Sequence, residues 1–162
     1  MTEPFVPGTA VGSPAAGGLW MDSAPPPVNA TPATAVQLPT EQSVETDTSG
    51  QLDAPVNAPT DVVAPAWYSV SSPTEEAVQI DATESDFAAA VAVYSGESND
   101  AVAGYGLTLV VKGNGKVQYK PTPNVTYSVA VGGDPLAATK TGTQKVKKTV
   151  SRLLGVWGVP LR

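Results

Sequence analysis

The sequence contains neither cysteine nor histidine. Their absence excludes disulfide bonds, thiolate chemistry, the common zinc sites and every catalytic triad that uses histidine. The chain also lacks any run of about 18 apolar residues, so no membrane-spanning helix is predicted. The N-terminus, Met1–Pro4, does not begin a basic region followed by an apolar core, and we therefore predict no secretory signal.

Basic residues are absent from the chain before Lys112. All nine lysines and arginines lie at or after that position, and every acidic residue except Asp134 precedes it. The formal net charge is −6. The two halves can neutralise each other inside one fold or between copies, or the basic half can contact nucleic acid. The acidic total and the scarcity of aromatic residues among the basic ones favour neutralisation, so nucleic acid is not an expected partner.

The 16 prolines are concentrated in the first 73 residues, and this uneven spread divides the chain. We predict an extended arm at residues 1–27, a β-sandwich domain at 28–150 and an apolar, basic tail at 151–162. Both ends carry large apolar side chains that a purely solvated linker seldom holds. These candidate partner-binding residues are Phe5, Leu19, Trp20, Met21, Leu153, Leu154 and Trp157. The alternatives are a disordered leader at the first end and core packing at the second.

The body of the chain shows the patterns of short strands. A nearly unbroken apolar run from Phe87 to Tyr94 predicts a central strand buried on both faces. Alternating segments predict further strands at 66–70, 77–82, 107–111, 116–120 and 125–131, with weak edge strands between residues 28 and 65. Residues 142–157 fit a helix and a closing strand equally well. Strands at this spacing predict an all-β, antiparallel, jelly-roll-like β-sandwich.

Three finer predictions follow from the same patterns. In the first strand Trp67 and Ser69 should share one face, with Tyr68 on the other. Leu107, Leu109 and Val111 should share a face. Gly113-Asn114-Gly115 predicts a two-strand hairpin with a type I′ turn, because Asn-Gly accepts positive φ at both positions.

A cluster of acids at Asp81, Glu84 and Asp86 lies beside a predicted strand end. Paired carboxylates can hydrolyse glycosides without histidine, and they can hold calcium with loop carbonyls. Neither use has its diagnostic spacing here, so a solvated corner that caps the turn is the favoured interpretation. We predict no catalytic residue, no cofactor and no metal, with these acids as the only candidate metal ligands.

Three blocks of the chain resemble the bacterial pre-peptidase C-terminal domain, a β-sandwich module. They are Ala66–Val70, Ser85–Gly96 and Asn124–Gly133, and with weaker upstream similarity the match covers about residues 28–135. The chain has Ala88-Ala89 where the family usually has Asp-Thr. The resemblance implies a non-catalytic accessory fold. Such modules are attached to secreted peptidases and also occur in virion proteins of tailed bacteriophages.

By that resemblance we expect a non-enzymatic virion structural protein, either a capsid decoration protein or a minor tail protein. Its partners would be other virion proteins, in multiple copies, and the arm would anchor it to a particle assembled in the host cytoplasm. The alternative is a module at a phage tail tip that binds a glycan on the host surface. Tyr68, Tyr105 and Tyr119 are the candidates for its aromatic platform, although each could be a core residue.

Overall fold

Nine β-strands make up most of the regular structure of residues 25–151, the part of the chain that the computed structural model describes. They are β1 (Val36–Gln37), β2 (Ser43–Asp47), β3 (Val63–Val70), β4 (Ala77–Asp81), β5 (Ala89–Ser95), β6 (Thr108–Asn114), β7 (Lys116–Tyr119), β8 (Tyr127–Gly133) and β9 (Thr143–Ser151). Short 3₁₀ turns lie at Pro32–Thr34 and Ala103–Gly106. No helix within residues 25–151 has the length and apolar character needed to cross a membrane.

The strands form two sheets, in the orders β1-β3-β8-β5-β6 and β2-β9-β4-β7. Strands β2 to β9 pair like a long hairpin that has been rolled up, with β2 beside β9, β3 beside β8, β4 beside β7 and β5 beside β6. This is the arrangement of an eight-stranded jelly roll. Strand β1 is added at one edge and pairs with β3 in parallel. The predicted all-β sandwich is confirmed, and the weak strands predicted before residue 65 are the sheet edges β1 and β2.

The main core lies between the two sheets. Val129 and Val131 of β8 face Val78 and Ile80 of β4 across this layer, and none of the four side chains is exposed. Full burial of one such side chain contributes about 1.5–3 kcal/mol relative to an exposed one. The alternation in β4, β7 and β8 therefore predicted the correct inward faces.

Strand β5 is the central strand that the apolar run predicted. It lies between β8 and β6, and six of its seven residues are buried, with Ser95 partly exposed. The strand begins at Ala89 rather than at Phe87, whose ring packs against the edge of the main core. Because both faces of β5 are covered, its sequence shows no alternation between apolar and polar residues.

A second apolar cluster covers part of the outer face of the five-stranded sheet. It contains Trp67 from β3, Tyr94 from β5 and Tyr105 from the 3₁₀ turn, all at most 2% exposed. The Trp67 ring centroid lies 5.6 Å from that of Tyr94 and 5.8 Å from that of Tyr105. Trp67 and Tyr68 therefore point into different clusters, as the sequence predicted.

Gly113-Asn114-Gly115 does not form the predicted hairpin. Strand β6 pairs with β5 in one sheet and β7 pairs with β4 in the other, so the turn carries the chain across the sandwich. A type I′ turn needs positive φ at both central residues, which would be Asn114 and Gly115. Only Gly115 has a positive φ, of 82°. The Ala82 N–H donates to the Gly115 carbonyl at 2.7 Å, and the Gly115 N–H donates to the Ala89 carbonyl at 2.9 Å. These bonds fix the crossing.

The prediction that Leu107, Leu109 and Val111 share a face is also wrong. The ladder between β5 and β6 skips Val110, which is the extra residue of a β-bulge. The bulge moves the alternation by one residue, so Val111 packs on the main core while Leu107 packs on the outer cluster. A bulge also disrupts the free edge of β6, which limits unwanted pairing with other strands.

For residues 143–151, strand β9 decides between the helix and the closing strand that the sequence allowed. It pairs with β2 on one side and β4 on the other, and it runs to Ser151. Val146 is fully buried while Lys147 is exposed, as expected for strand alternation. The strand is favoured over the helix because it closes the four-stranded sheet. Leu153, Leu154 and Trp157 lie outside the described residues.

A buried polar bridge joins the two sheets inside the main core. The Tyr68 hydroxyl donates to Gln144 Oε1 at 2.7 Å and lies 2.9 Å from the Thr46 hydroxyl. The Gln144 side chain donates from Nε2 to the Val131 carbonyl at 2.7 Å. Burial is the largest influence on the Tyr68 hydroxyl and raises its pKa. Fully satisfied networks of this kind favour one register over its alternatives.

We expect Gln144→Leu to lower the free energy of unfolding by about 1–3 kcal/mol, because the Val131 carbonyl loses its side-chain donor and the Tyr68 hydroxyl loses the Gln144 acceptor and keeps its contact with Thr46. The measurement is urea unfolding followed by tryptophan fluorescence. Gln118→Leu is the matched control, since Gln118 is exposed on β7. Equal stability of the two variants would contradict a structural role for the bridge.

Candidate functional site

The three candidate acids lie in the corner between β4 and β5, where two of them hold the backbone. Asp81 Oδ1 accepts hydrogen bonds from the Thr83 N–H at 2.8 Å and from the Thr83 hydroxyl at 2.5 Å. Burial would raise the pKa of Asp81, but these bonds and the charges of Lys116 and Lys147 lower it below its usual range. A carboxylate held in this way is suited to capping a turn.

Asp86 connects the same corner to the start of β9. Its Oδ1 accepts a hydrogen bond from the Thr143 N–H at 2.9 Å, and its own N–H donates to the Thr143 carbonyl at 3.0 Å. Glu84 is exposed between these two acids. Within residues 25–151 there is no group of three or more acidic side chains placed to hold a metal ion. The arrangement fits the predicted capping corner.

The proposed aromatic platform is not on the surface. Tyr68 is fully buried in the main core, Tyr105 is 2% exposed in the outer cluster and Tyr119 is 7% exposed. Tyr119 packs edge-on against Tyr127, with ring centroids 5.1 Å apart. The interpretation of these tyrosines as a glycan platform is therefore wrong. The alternation of β3 and β7 places Tyr68 and Tyr119 inward, and the 3₁₀ turn folds Tyr105 over Trp67.

The candidate partner-binding residues Phe5, Leu19, Trp20, Met21, Leu153, Leu154 and Trp157 all lie outside the described residues. The chain enters the described part at Pro25, on the side of the sandwich where β1 and β2 are the free edges. There Pro25–Pro27 line a groove of about 370 Å³ together with Val36 of β1 and Val44 of β2. We refer to this feature as the N-terminal groove.

Acidic and basic residues from the two parts of the chain form ion pairs on the surface of the sandwich. Three ion pairs each join an acid of the first part of the chain to a lysine of the second. They are Asp61–Lys112 at 3.2 Å, Glu75–Lys120 at 3.3 Å and Glu45–Lys145 at 3.8 Å. Such surface pairs each contribute about 0–1 kcal/mol. The sequence favoured neutralisation inside one fold or between copies, and these three pairs lie within one fold.

Tyr94, Asp61 and Lys112 form a connected polar group at the border of the outer cluster. The Tyr94 hydroxyl donates to Asp61 Oδ2 at 2.5 Å, and Lys112 Nζ lies 3.2 Å from Asp61 Oδ1. Burial and, secondarily, the neighbouring Asp61 carboxylate raise the pKa of Tyr94 far above its usual value of 10. The tyrosine therefore stays a hydrogen-bond donor and fixes the loop that carries Asp61 against the sheet.

This shift predicts a loss of stability in alkaline solution. Burial also raises the pKa of Tyr68, Tyr105 and Tyr119. The unfolded chain then releases these protons at lower pH than the folded chain, so stability present below pH 10 is lost as the pH rises. Burial lowers the pKa of Lys148, so this group makes stability rise with pH below pH 10.5. It is a single group, whereas four tyrosines act in the other direction.

Above pH 10 the free energy of unfolding should fall less steeply with pH in Tyr94→Phe than in the parent. We expect the difference in slope to be up to about 1.4 kcal/mol per pH unit. The measurement is urea unfolding at a series of alkaline pH values. The Gln118→Leu variant, which removes no titrating group, should keep the parental slope. An unchanged slope in Tyr94→Phe would contradict the assignment.

The uncovered part of the outer face of the five-stranded sheet forms an open cleft of about 610 Å³. Its polar lining comes from four hydroxyl groups and one carboxylate, and its apolar rim from Pro32, Ala35 and Val125. The polar residues are Ser69, Glu97, Ser98, Thr126 and Ser128. We call this feature the hydroxyl cleft.

Sequence reasoning did not select the residues of the hydroxyl cleft. The alternation of β3 did place Ser69 on the same face as Trp67. The pairing of β3 with β8, which sets Ser69 opposite Ser128, depends on the three-dimensional fold. No local motif marks such a pair of serines from strands that lie far apart in the sequence.

Comparisons with protein-family models, with curated proteins and with solved structures find no match for this chain. The resemblance to the pre-peptidase C-terminal domain therefore stays a prediction based on three sequence blocks. In the structure these blocks contain most of β3 and all of β5 and β8. These are the three inner strands of the five-stranded sheet.

Proposed function

We propose that this chain is a non-enzymatic structural protein of a virion, either a capsid decoration protein or a minor tail protein. Its sandwich is exposed on the particle, and its N-terminal arm binds neighbouring virion proteins. Several copies are incorporated while the particle is assembled in the host cytoplasm.

The observation that carries this proposal is the strand order of β2 to β9. Eight strands in a double-sheet jelly roll are an architecture that recurs in viral capsid domains and in lectins. Its strands form two packed sheets, and the bulge at Val110 disrupts one of the free edges, that of β6. The disrupted β6 edge limits pairing between copies that are displayed side by side.

The entry point of the arm supports the same proposal. Asn29 is buried and makes two hydrogen bonds to the backbone of Trp67. Its side-chain Nδ2 donates to the Trp67 carbonyl at 2.8 Å, and its backbone carbonyl accepts from the Trp67 N–H at 2.8 Å. The body is thus attached at Asn29, and residues 1–27 precede this attachment. Extended segments bind through main-chain pairing and a few aromatic anchors, a role suited to Trp20.

Binding of a host-surface glycan was the second expectation from the sequence. Its aromatic platform is buried, so those tyrosines no longer support it. Any glycan contact must use a different surface, which is considered below.

The test is to separate particles of the source virus on a density gradient and to quantify this chain in each fraction by mass spectrometry. We expect the chain to follow the major capsid protein at a constant ratio, in several copies per particle. Particles that are complete and infectious without this chain in any fraction would contradict the proposal.

A further inference from the structure

We propose that the hydroxyl cleft is a binding site for a neutral saccharide. The site is distinct from the buried tyrosines and from the arm, and it extends the proposed function to a contact with carbohydrate on a surface. Its floor is formed by adjacent strands of the sheet. It can therefore be tested on the purified chain, independently of any particle.

The floor of the cleft is held in place by strand pairing and by contacts of the neighbouring side chains. Ser69 and Ser128 are direct partners in the ladder between β3 and β8, and Ser128 also pairs with Tyr94 of β5. Tyr94 is held in turn by Asp61 and by the Trp67 ring. Polar groups fixed on packed strands lose little conformational freedom on binding, which favours affinity.

The polar groups of the cleft have unused hydrogen-bonding capacity. Within the described part of the chain, the hydroxyls of Ser69, Ser98, Thr126 and Ser128 and the carboxylate of Glu97 make no side-chain hydrogen bond. Each hydroxyl can donate one hydrogen bond and accept others, and the carboxylate can accept from two neighbouring hydroxyls. A ligand dense in hydroxyl groups matches this set.

The charge of the cleft selects a neutral ligand. Among residues 25–151 no lysine or arginine lines the cleft, so a phosphate or sulfate group would find no cation from this part of the chain. Glu97 would repel a carboxylated sugar and would accept hydrogen bonds from a neutral one. The apolar rim of Pro32, Ala35 and Val125 can contact the C–H face of a sugar ring.

A bound peptide fits the cleft less well. Peptides that add to a sheet use main-chain groups at a free edge. The cleft instead lies on the face of the sheet, where the main chains of Ser69 and Ser128 are already paired in their ladders. Side-chain hydroxyls are the groups that remain for a ligand.

The experiment is a titration of the full-length, isotope-labelled chain, followed by NMR amide shifts. The probes are neutral oligosaccharides of glucose, galactose, N-acetylglucosamine and rhamnose, with sialyllactose and inorganic phosphate as charged comparisons. We expect at least one neutral probe to shift the amides of Ser69, Gly96–Ser98 and Thr126–Ser128. The charged probes should leave these amides unchanged.

Two variants and a control complete the test. We expect the double variant Ser69→Ala, Ser128→Ala to weaken binding of the active probe at least about tenfold, and Glu97→Gln to weaken it severalfold. Thr149→Ala, which removes a hydroxyl from β9 in the other sheet, should bind as the parent does. Retained fold is checked by the amide spectrum of each variant.

Three outcomes would overturn the inference. The first is that no neutral probe shifts the amides of the cleft. The second is that the double variant binds as well as Thr149→Ala. The third is that deletion of residues 1–24 shifts the amides of the cleft while no sugar does, since the N-terminal segment would then be its occupant. A chain that binds sugar but is absent from particles would contradict only the proposed virion role.

Discussion

Trp67→Ala is expected to lower the free energy of unfolding by about 3–5 kcal/mol. The Trp67 side chain is fully buried on the outer face of the five-stranded sheet, between Tyr94 and Tyr105. Its removal leaves a large cavity and ends two aromatic contacts, each contributing about 0.5–1.5 kcal/mol beyond area burial. The loops that carry Asp61 and Tyr105 would lose the surface on which they pack.

Urea unfolding followed by far-ultraviolet circular dichroism measures this loss. Trp67→Phe should cost much less, because the indole Nε1 of Trp67 has no hydrogen-bond partner within residues 25–151, so its removal breaks no bond there. Val110→Ala, at the exposed bulge of β6, is the surface control and should stay within about 0.5 kcal/mol of the parent. A Trp67→Ala variant as stable as the Val110→Ala control would show that the outer cluster does not support the fold.

Deletion of residues 1–27 is expected to remove the chain from particles while the sandwich stays folded. The bonds between Asn29 and Trp67 begin after this cut, so the truncation preserves the attachment of the body. Loss of an aromatic anchor typically costs 2 kcal/mol or more, which corresponds to a fall in affinity for the particle of about 30-fold or more. Trp20→Ala alone should produce most of this fall.

Occupancy is measured by mass spectrometry of gradient-purified particles, and folding by the amide spectrum of the isolated chain. Leu136→Ala is the matched control, because Leu136 is 95% exposed and lies far along the chain from the arm. It should be incorporated as the parent is. Full occupancy of the truncated chain would contradict anchoring by the arm.

The predictable parts of the fold are those that depend only on the residue pattern within a single strand. The alternation in β8 and β4 identified their inward faces, and the apolar run identified β5 as a strand covered on both sides. Opposite faces for Trp67 and Tyr68 followed from the period of two residues alone. Each of these features depends on residues that are neighbours in the sequence.

The predictions that were wrong concern features that depend on which strands pair with each other. Gly115 was recognisable as a turn residue, but nothing near it reveals that β6 and β7 join different sheets. The bulge at Val110 has no glycine or proline to mark it. The sequence of residues 142–157 fitted two structures, and for residues 143–151 only the pairing with β2 and β4 selects the strand.

The candidate site shows the same division. The acid corner was visible in the sequence, and its bonds to Thr83 and Thr143 give it the capping role that was favoured. The hydroxyl cleft combines Ser69, Glu97 and Ser128, which come together only when β3, β8 and β5 lie side by side. A pattern search along the chain cannot find such a set.

The most direct test of the central claim is a cryo-electron microscopy reconstruction of the source particle at a resolution that separates strands. We expect a nine-stranded body with the strand order β1-β3-β8-β5-β6 and β2-β9-β4-β7, repeated on the particle surface, with density for residues 1–27 continuing onto a neighbouring virion protein. A particle surface without this body, or a body whose only contacts are made by β1 to β9, would contradict it.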